Sequence, residues 1–239
     1  MENTNIQAEF DLAPFYEAKK FSIEGCWNTC GGSSCCKMSR FLKNTKFADK
    51  EAHVIFLFDF ELDWLLKNNQ LDPEFAKTLT KQEINVNGWT LTFHAIKCGY
   101  GGLCPNHKFR PLSCFLYPYI PYFEADGTIS KMANFLLFDD IFDALKIEKQ
   151  CTIFPKFNTN TYQTLVDKYL KFNKFYFYAN VYYRVKEIMM SRFVAENDKE
   201  TIEEAVEIYE AMFMLNALIT QEEVETIVKE ENAKFHIFS

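Results

Sequence analysis

Cysteine is concentrated in two short blocks of this chain, and that distribution most restricts how the chain can fold. Seven of the eight Cys lie within residues 26–36 and 98–114. Six of the eight Gly lie in or beside the same blocks, where glycine lets a backbone turn tightly around a bound centre. Clustered thiols in glycine-rich loops indicate a metal ion or metal cluster. Chance enrichment of small buried thiols is the alternative, but it leaves the glycines unexplained.

The cellular compartment decides between metal binding and disulfide formation. The N-terminus is polar and acidic, and it lacks the basic start and apolar run of a signal peptide. The longest apolar runs, such as residues 54–58, have five residues, whereas a membrane span needs roughly 18. The sequence therefore predicts a cytoplasmic protein, in which clustered thiols are more often metal ligands or redox groups than disulfides. Disulfides are the alternative, and they would require export.

The charge of the chain argues against polyanionic partners. The net charge is −7, so the sequence offers no electrostatic basis for binding nucleic acid or an anionic membrane. The sequence identifies no protein partner. The acidic residues concentrate after residue 195, where they are typical of the solvated faces of helices.

Turn signals and hydrophobic periodicity predict an α+β fold. Asn-Gly at 87–88 and Asp-Gly at 126–127 each separate two strand-like runs, which predicts two β-hairpins. Residues 53–58 are typical of a buried strand, and the leucines that follow predict a short helix ending near residue 69. A further short helix is predicted over residues 139–145.

The end of the chain is predicted to be helical. Apolar residues recur at helical spacing on two faces from residue 161 to about 193, which predicts a helix contacted from two sides. Asp198 is placed to cap the next helix, and Thr220 with Glu223 has capping-box spacing for the last one. We therefore divide the chain into a Cys-cluster metal-binding core, residues 1–157, and a helical region packed on it, residues 158–239.

The two cysteine blocks resemble a known family. They read Cys-x3-Cys, a Gly-rich spacer and Cys-Cys, followed by Cys…Cys-x2-His-x2-Arg-Pro-x2-Cys-x2-Tyr-Pro. This pattern is similar to the YkgJ-type cysteine-cluster family, whose members are described as zinc- or iron-chelating proteins. The spacer Gly31–Ser34 is longer than is usual in that family. The matching residues, spread over about residues 24–120, are Cys26, Cys30, Cys35, Cys36, Cys98, Cys104, Arg110, Pro111, Cys114, Tyr117 and Pro118.

The resemblance implies metal chelation, and it leaves three functions open. The first is a metal-binding protein whose centre organises the fold without turnover. The second is an enzyme of the flagellin lysine N-methylase type, which carries a similar cluster and is described as using S-adenosylmethionine. The third is a metal or cluster carrier. The sequence shows no catalytic dyad or triad, so it assigns no catalytic residue and leaves open whether the protein is an enzyme.

The predicted ligands exceed one tetrahedral site. Seven thiolates fall one short of two separate four-thiolate sites, and zinc and iron–sulfur clusters both suit such ligands. His107 can complete a second site or be an ordinary surface residue, and Cys151 can fill the gap or be a small buried thiol. Adjacent side chains point apart, so one of a neighbouring pair of thiols can be spare. The predicted metal ligands are Cys26, Cys30, Cys35, Cys36, Cys98, Cys104, Cys114 and His107.

Arg110 is predicted to lie beside the centre. A zinc ion with four thiolates carries a net charge of 2 − 4 = −2, and a guanidinium nearby would offset that charge. A surface salt bridge is the alternative reading of Arg110. The other histidines, His53, His94 and His236, are interpreted as structural.

Overall fold

The computed structural model describes residues 11–17, 54–86, 89–97, 111–135, 137–146, 158–195, 201, 204–205, 207–208 and 217–238. Within these ranges the protein is a mixture of helices and small antiparallel sheets, as expected for an α+β fold. A short helix, α1, spans Ala13–Glu17. None of the described helices is both long and apolar enough to cross a bilayer.

The first sheet is antiparallel, with β1 (Val54–Phe58) and β2 (Thr80–Val86) on either side of the central β3 (Trp89–Lys97). β2 and β3 pair with Val86 opposite Trp89, which confirms the hairpin predicted at Asn-Gly 87–88. β1 pairs with β3 so that Val54 lies opposite Lys97. The buried strand predicted over residues 53–58 is therefore β1, and the last residue of β3 immediately precedes Cys98.

Two short helices connect β1 to β2. The first, α2 (Asp59–Lys67), starts directly after β1 and confirms the helix predicted from the leucine spacing. Its acidic first turn and basic last turn complement the helix dipole. The second, α3 (Pro73–Ala76), begins with Pro and is capped by Asp72, whose side chain accepts a 2.8 Å hydrogen bond from Glu74 N.

The second sheet follows another short helix. α4 (Leu112–Leu116) leads into β4 (Tyr119–Phe123), which pairs with β5 (Ile129–Asn134). The hairpin predicted at Asp126-Gly127 is confirmed. Gly127 has φ 86°, a conformation that glycine adopts without strain, and Asp126 Oδ1 accepts a 2.9 Å bond from Thr128 N. The next helix, α5 (Leu137–Ala144), starts two residues earlier than predicted.

The long helical run predicted after residue 161 is two helices. α6 (Thr159–Tyr169) is capped by Asn158, and α7 (Asn173–Ala195) follows after a three-residue break. No Pro or Gly lies between Val166 and Phe175, so tertiary packing rather than a local helix breaker separates them. The break allows the fully buried Leu170 to enter the core.

Helix α7 confirms the expectation of contacts on two sides. All seven residues from Phe175 to Val181 are buried, because β4 and the last helix, α8 (Gln221–Phe235), both pack against α7. The predicted capping box of Thr220 and Glu223 begins α8. A second capping pair joins Thr201 and Glu204, while Asp198, the cap predicted there, lies outside the described residues.

One apolar core joins the two predicted regions. It contains residues from α1, β1 and β4 together with residues from α6, α7 and α8. The proposed boundary at residue 157 lies outside the described residues and stays a prediction. The contact between the regions is direct, because the Tyr162 hydroxyl of α6 donates to Leu116 O at the end of α4.

Candidate metal centre

Cys114 is the member of the predicted ligand set that the structure describes. The convergence of the two cysteine blocks therefore stays a prediction, and the site is built below from the residues around Cys114. The other predicted site residues, which lie outside the described ranges, are Cys26, Cys30, Cys35, Cys36, Cys98, Cys104, His107 and Arg110, together with Cys151.

Helix α4 carries Cys114 on the surface of the core. Pro111 precedes the helix with φ −56° and ψ 154°, an extended conformation that starts the turn. Leu112 and Leu116 are fully buried four residues apart, so one face of α4 is fixed in the core, where it packs against β1. Cys114 itself is half-buried and forms no disulfide within the described residues.

Glu61 holds the start of α4. This α2 residue is completely buried, and its Oε1 accepts a 2.6 Å hydrogen bond from Leu112 N and a second hydrogen bond from the Tyr16 hydroxyl. Its Oε2 is also buried and has no hydrogen-bond partner among the described residues. A single carboxylate thus joins α1, α2 and α4. It binds α4 at Leu112, two residues before Cys114.

Tyr16 is held in place by its own contacts. Its ring stacks on Trp64 of α2, with 5.2 Å between centroids and an interplanar angle of 10°. Trp64 Nε1 donates a 3.2 Å bond to Asp11, whose carboxylate also caps the start of α1 through Ala13 N at 2.9 Å. These contacts fix the orientation of the phenol toward Glu61.

An aromatic contact also joins α1 to α4. Phe15 packs edge-on against Phe115, the residue after Cys114, with 4.9 Å between ring centroids and an interplanar angle of 81°. Phe15 is almost completely buried and Phe115 is half-buried. An edge-to-face pair of this kind adds about 0.5–1.5 kcal/mol beyond burial. The hydrogen bond at Leu112 and the ring contact at Phe115 therefore lie on either side of Cys114 along α4.

Burial controls the electrostatics of this group. It raises the pKa of Glu61 from its ordinary 4.5 to about 7, although the hydrogen bonds from Tyr16 and Leu112 lower the pKa in part. Burial also raises the pKa of Tyr16, and the charges of Glu61 and of a Cys114 thiolate raise that pKa further. Tyr16 is therefore a neutral hydrogen-bond donor at physiological pH.

The second cysteine block is connected to the described structure at β3 and at α4, both of which contact β1. Cys98 directly follows Lys97, which pairs with Val54 at the start of β1. Helix α4, which carries Cys114, packs on β1 and is bound to Glu61, three residues beyond the end of that strand. The described residues on either side of residues 98–110 therefore both lie beside this five-residue strand.

The first cysteine block follows α1, the helix that contacts α4. Cys26 follows Glu17, the last residue of α1, by nine residues. Nine residues extend over at most about 32 Å, so Cys26 lies within that distance of the end of α1. Because α1 contacts α4 directly, the chain connections allow the two blocks to meet.

The donor chemistry around Cys114 fits a thiolate ligand of zinc or iron. The thiol is half-buried beside a rigid set of aromatic rings, and thiolates are the ligands that both metals take in such loops. Within the described residues there is no group of three or more His, Cys, Asp or Glu that could hold a metal ion. A complete site therefore needs ligands from the segments that contain the other cysteines.

Two histidines, His94 and His236, lie within the described residues. His94 is buried on β3, where its Nε2 lies 3.2 Å from Asp59 Oδ1. His236 is exposed and ends α8 in a left-handed conformation, with φ 56°. These places agree with the structural interpretation of both residues. His53 lies outside the described residues.

Two adjoining cavities lie between α5 and α7. Their volumes are about 510 and 500 Å³, and both are lined by Asp140, Met190 and Ser191. Lys186, which forms an ion pair with Asp140, also lines the first cavity. No predicted metal ligand is among the described lining residues, so these cavities do not extend the candidate centre.

Glu61 and Tyr16 were not predicted from the sequence. One signal for Glu61 was available, since it is a carboxylate one helical turn before the buried Leu65 and therefore on the apolar side of α2. A carboxylate at such a position indicates a buried hydrogen-bond acceptor. Its partners could not be inferred, because Tyr16 and Leu112 are 45 and 51 residues away in the chain.

The raised pKa of Glu61 predicts how stability changes with pH. The folded protein keeps this proton to higher pH than the unfolded chain, so its contribution is complete below about pH 4.5 and is lost as the pH rises to about 7. We expect this contribution to fall by about 3 kcal/mol across that range. Urea unfolding measured at several pH values gives the free energy of unfolding.

The Glu61→Gln variant is the matched control for that experiment. Glutamine keeps an oxygen for Tyr16 and Leu112 but does not titrate, so the difference between variant and wild type isolates Glu61 from the other titrating groups. We expect the stability gap between the two proteins to change steadily between about pH 4.5 and about pH 7. A gap that is constant with pH would show that Glu61 titrates normally.

Comparisons with protein-family models, characterised proteins and solved structures found no match to this chain.

Proposed function

We propose that this protein is a metal-chelating cysteine-cluster protein. Its centre contains zinc or iron, the latter as an ion or an iron–sulfur cluster, and is held by the two Cys-rich loops. The resemblance to the YkgJ-type family supports this function. The observation that carries the proposal is the confinement of seven of eight Cys to two glycine-rich blocks.

The described framework supports the proposal through chain connectivity. The second block begins at the end of β3 and ends on α4, both adjacent to β1. The first block follows α1, which contacts α4 through Phe15 and Tyr16. Anchors that are fixed before the metal binds lower the entropy lost when two loops close on a shared centre.

We favour a centre that organises these loops and supports an interaction, without turnover. A closed site, with every metal ligand from the protein, is what such a role requires, whereas catalysis needs an open coordination position. An enzyme of the methylase type and a metal carrier are the competing functions. Reversible transfer of the metal to a chelator, with the fold retained, would assign the carrier function instead.

Metal content is the direct test of the proposal. Untagged protein purified without oxygen is expected to contain at least about one zinc or iron per chain, since a four-thiolate site holds one ion. Zinc predicts a colourless protein, whereas an iron–sulfur cluster predicts a brown protein whose visible absorbance is bleached by dithionite. Elemental analysis together with an absorbance spectrum distinguishes the two metals.

Two serine variants give the matched comparison. Cys98→Ser removes a predicted ligand and is expected to lower metal content by at least half, because it breaks a shared site. Cys151→Ser removes the isolated cysteine and is expected to leave metal content unchanged if Cys151 is a buried thiol. Wild-type protein that contains neither zinc nor iron above trace level would refute the proposed function.

A further inference from the structure

Glu61 is a buried acid whose hydrogen bonds connect three helices, one of which carries a predicted metal ligand. Its carboxylate is completely buried, and Oε1 accepts hydrogen bonds from residues in two other segments, Tyr16 of α1 and Leu112 of α4. The buried Glu231 instead bonds to Tyr122, Asn180 and Arg184, none of which lies in α1 or α4. Glu61 therefore has a direct structural relation to a predicted ligand.

We propose that Glu61 is a positioning residue that fixes the Cys114 thiol by holding α4 against α1 and α2. The link to metal affinity rests on the proposed function, but the positioning itself does not. Of the two residues that Glu61 joins, Leu112 lies within the second cysteine block and Tyr16 lies ten residues before Cys26, the first cysteine of the other block. The same carboxylate thus connects the start of α4 to the helix that precedes the first block.

Burial makes this connection rigid. Water cannot replace these hydrogen bonds in a fully buried site, and a buried donor that loses its partner there is costly. α4 has five residues, too few for a helix to be stable on its own, so its position depends on tertiary contacts. Its described anchors are the buried Leu112 and Leu116, the Phe15–Phe115 ring pair, the bond from the Tyr162 hydroxyl to Leu116 O and the bond to Glu61.

Two of these anchors are hydrogen bonds to the backbone of α4: Leu112 N donates to Glu61 two residues before Cys114, and Leu116 O accepts from Tyr162 two residues after it. The ring pair and the leucines are apolar contacts, which tolerate small shifts. The bond from Leu112 N to Glu61 Oε1 is directional, so it fixes the rotation of α4 and thereby the direction of the residue-114 side chain. Outer residues that orient metal ligands in this way typically change metal affinity 10- to 100-fold when they are removed.

Three variants separate positioning from general stability. Glu61→Ala removes both hydrogen bonds, Tyr16→Phe removes one, and Glu61→Gln keeps an acceptor for both donors. Asn180→Leu is the matched control, because Asn180 is a buried polar residue bonded to β4 and α8 rather than to α4. If Glu61→Ala fails to fold, Tyr16→Phe provides the test.

Two measurements read out the position of Cys114. In metal-loaded protein, competition with a chromophoric chelator is expected to show affinity about 10- to 100-fold weaker in Glu61→Ala, an intermediate loss in Tyr16→Phe and near wild-type affinity in Glu61→Gln. In metal-free protein, the iodoacetamide labelling rate of Cys114, followed by peptide mass spectrometry, is expected to rise about tenfold in Glu61→Ala. Asn180→Leu should leave both values unchanged while the protein is folded.

The two measurements keep this inference separate from the proposed function. If wild-type protein binds no metal but Glu61→Ala still accelerates labelling of Cys114, then the positioning role stands and metal chelation fails. If wild-type protein binds metal but folded Glu61→Ala matches it in affinity and in labelling, then the positioning role is wrong. The positioning role is also wrong if Asn180→Leu changes both values as much as Glu61→Ala does.

Discussion

Removing the metal is expected to unfold the cysteine-bearing segments and to leave the aromatic core folded. Structural zinc contributes about 10 kcal/mol or more to the folding of a small thiolate site, so its loss removes the main stabilisation of residues 18–53 and 98–110. We expect β1 and α2 to stay folded although they lie between the two cysteine blocks in sequence, because they are packed into the core through contacts that involve no cysteine.

Aromatic contacts explain why the core should persist. Phe58 of β1 packs against Phe175 of α7 with 6.2 Å between ring centroids, and Phe60 of α2 lies 5.7 Å from Tyr178. Phe58, Phe60 and Phe175 are nearly or completely buried. Burying one such ring contributes roughly 1.5–3 kcal/mol, so the core has a source of stability independent of the metal.

Amide hydrogen exchange, with and without chelator, measures this result by segment. Protection is expected to be lost in residues 18–53 and 98–110 and to be retained at the buried positions of α7 and α8. Cys114→Ser is expected to reproduce the pattern without chelator, and Cys151→Ser should exchange like wild type. Uniform loss of protection across the whole chain would contradict an independent core, and unchanged protection would contradict a structural metal.

Replacing Asn180 is expected to cause a large loss of stability without affecting the cysteine segments. This α7 residue is completely buried, and its amide bonds to both backbone groups of Phe123, accepting from N at 2.7 Å and donating to O at 2.9 Å. It also donates to Glu231 Oε2 of α8 at 2.8 Å. One amide therefore connects β4, α7 and α8.

Asn180→Leu keeps the approximate volume of the side chain but removes all three bonds. Phe123 O keeps a hydrogen bond in the variant, because Lys234 Nζ also donates to it. Phe123 N and the Glu231 carboxylate therefore lose the hydrogen bonds that matter most. A buried group left without its partner costs about 1–3 kcal/mol, and more when it is charged. We expect a total loss of about 3–5 kcal/mol, measured as the free energy of unfolding in urea.

Asn160→Leu is the control, because it makes the same substitution at an exposed helical position. Asn160 lies on α6 and is exposed, so its replacement should change stability by less than about 0.5 kcal/mol. If Asn180→Leu loses less than about 1 kcal/mol, then the amide network is not a main contributor to the packing of α7.

The sequence was most informative where structure depends on neighbouring residues. Both hairpins follow from dipeptides that favour positive φ, and the structure places strands on both sides of each. The capping box of Thr220 and Glu223 was visible because its residues are three apart. The break between α6 and α7 was missed, since it has no local signal and results from the burial of Leu170.

The candidate centre likewise has a part that the sequence predicts and a part that only the packed structure reveals. The spacing of the thiols and the glycines around them indicated metal binding, because that chemistry depends on residue types within short segments. The residues that hold Cys114 in place could not be predicted from short segments of sequence, because Tyr16 and Leu112 contact Glu61 only after distant segments pack together.

The sequence by itself predicted the two hairpins, the strand β1, the capping box of α8 and the candidate ligands, because each of these patterns depends on residues within short segments. Only the tertiary structure determined that a buried carboxylate joins α1 to α4 and that an amide of α7 completes the hydrogen bonds of β4. These contacts join residues 45 to 57 positions apart. The physical reason is that a buried polar group needs a hydrogen-bond partner, and the packing of the core determines which partner lies within reach.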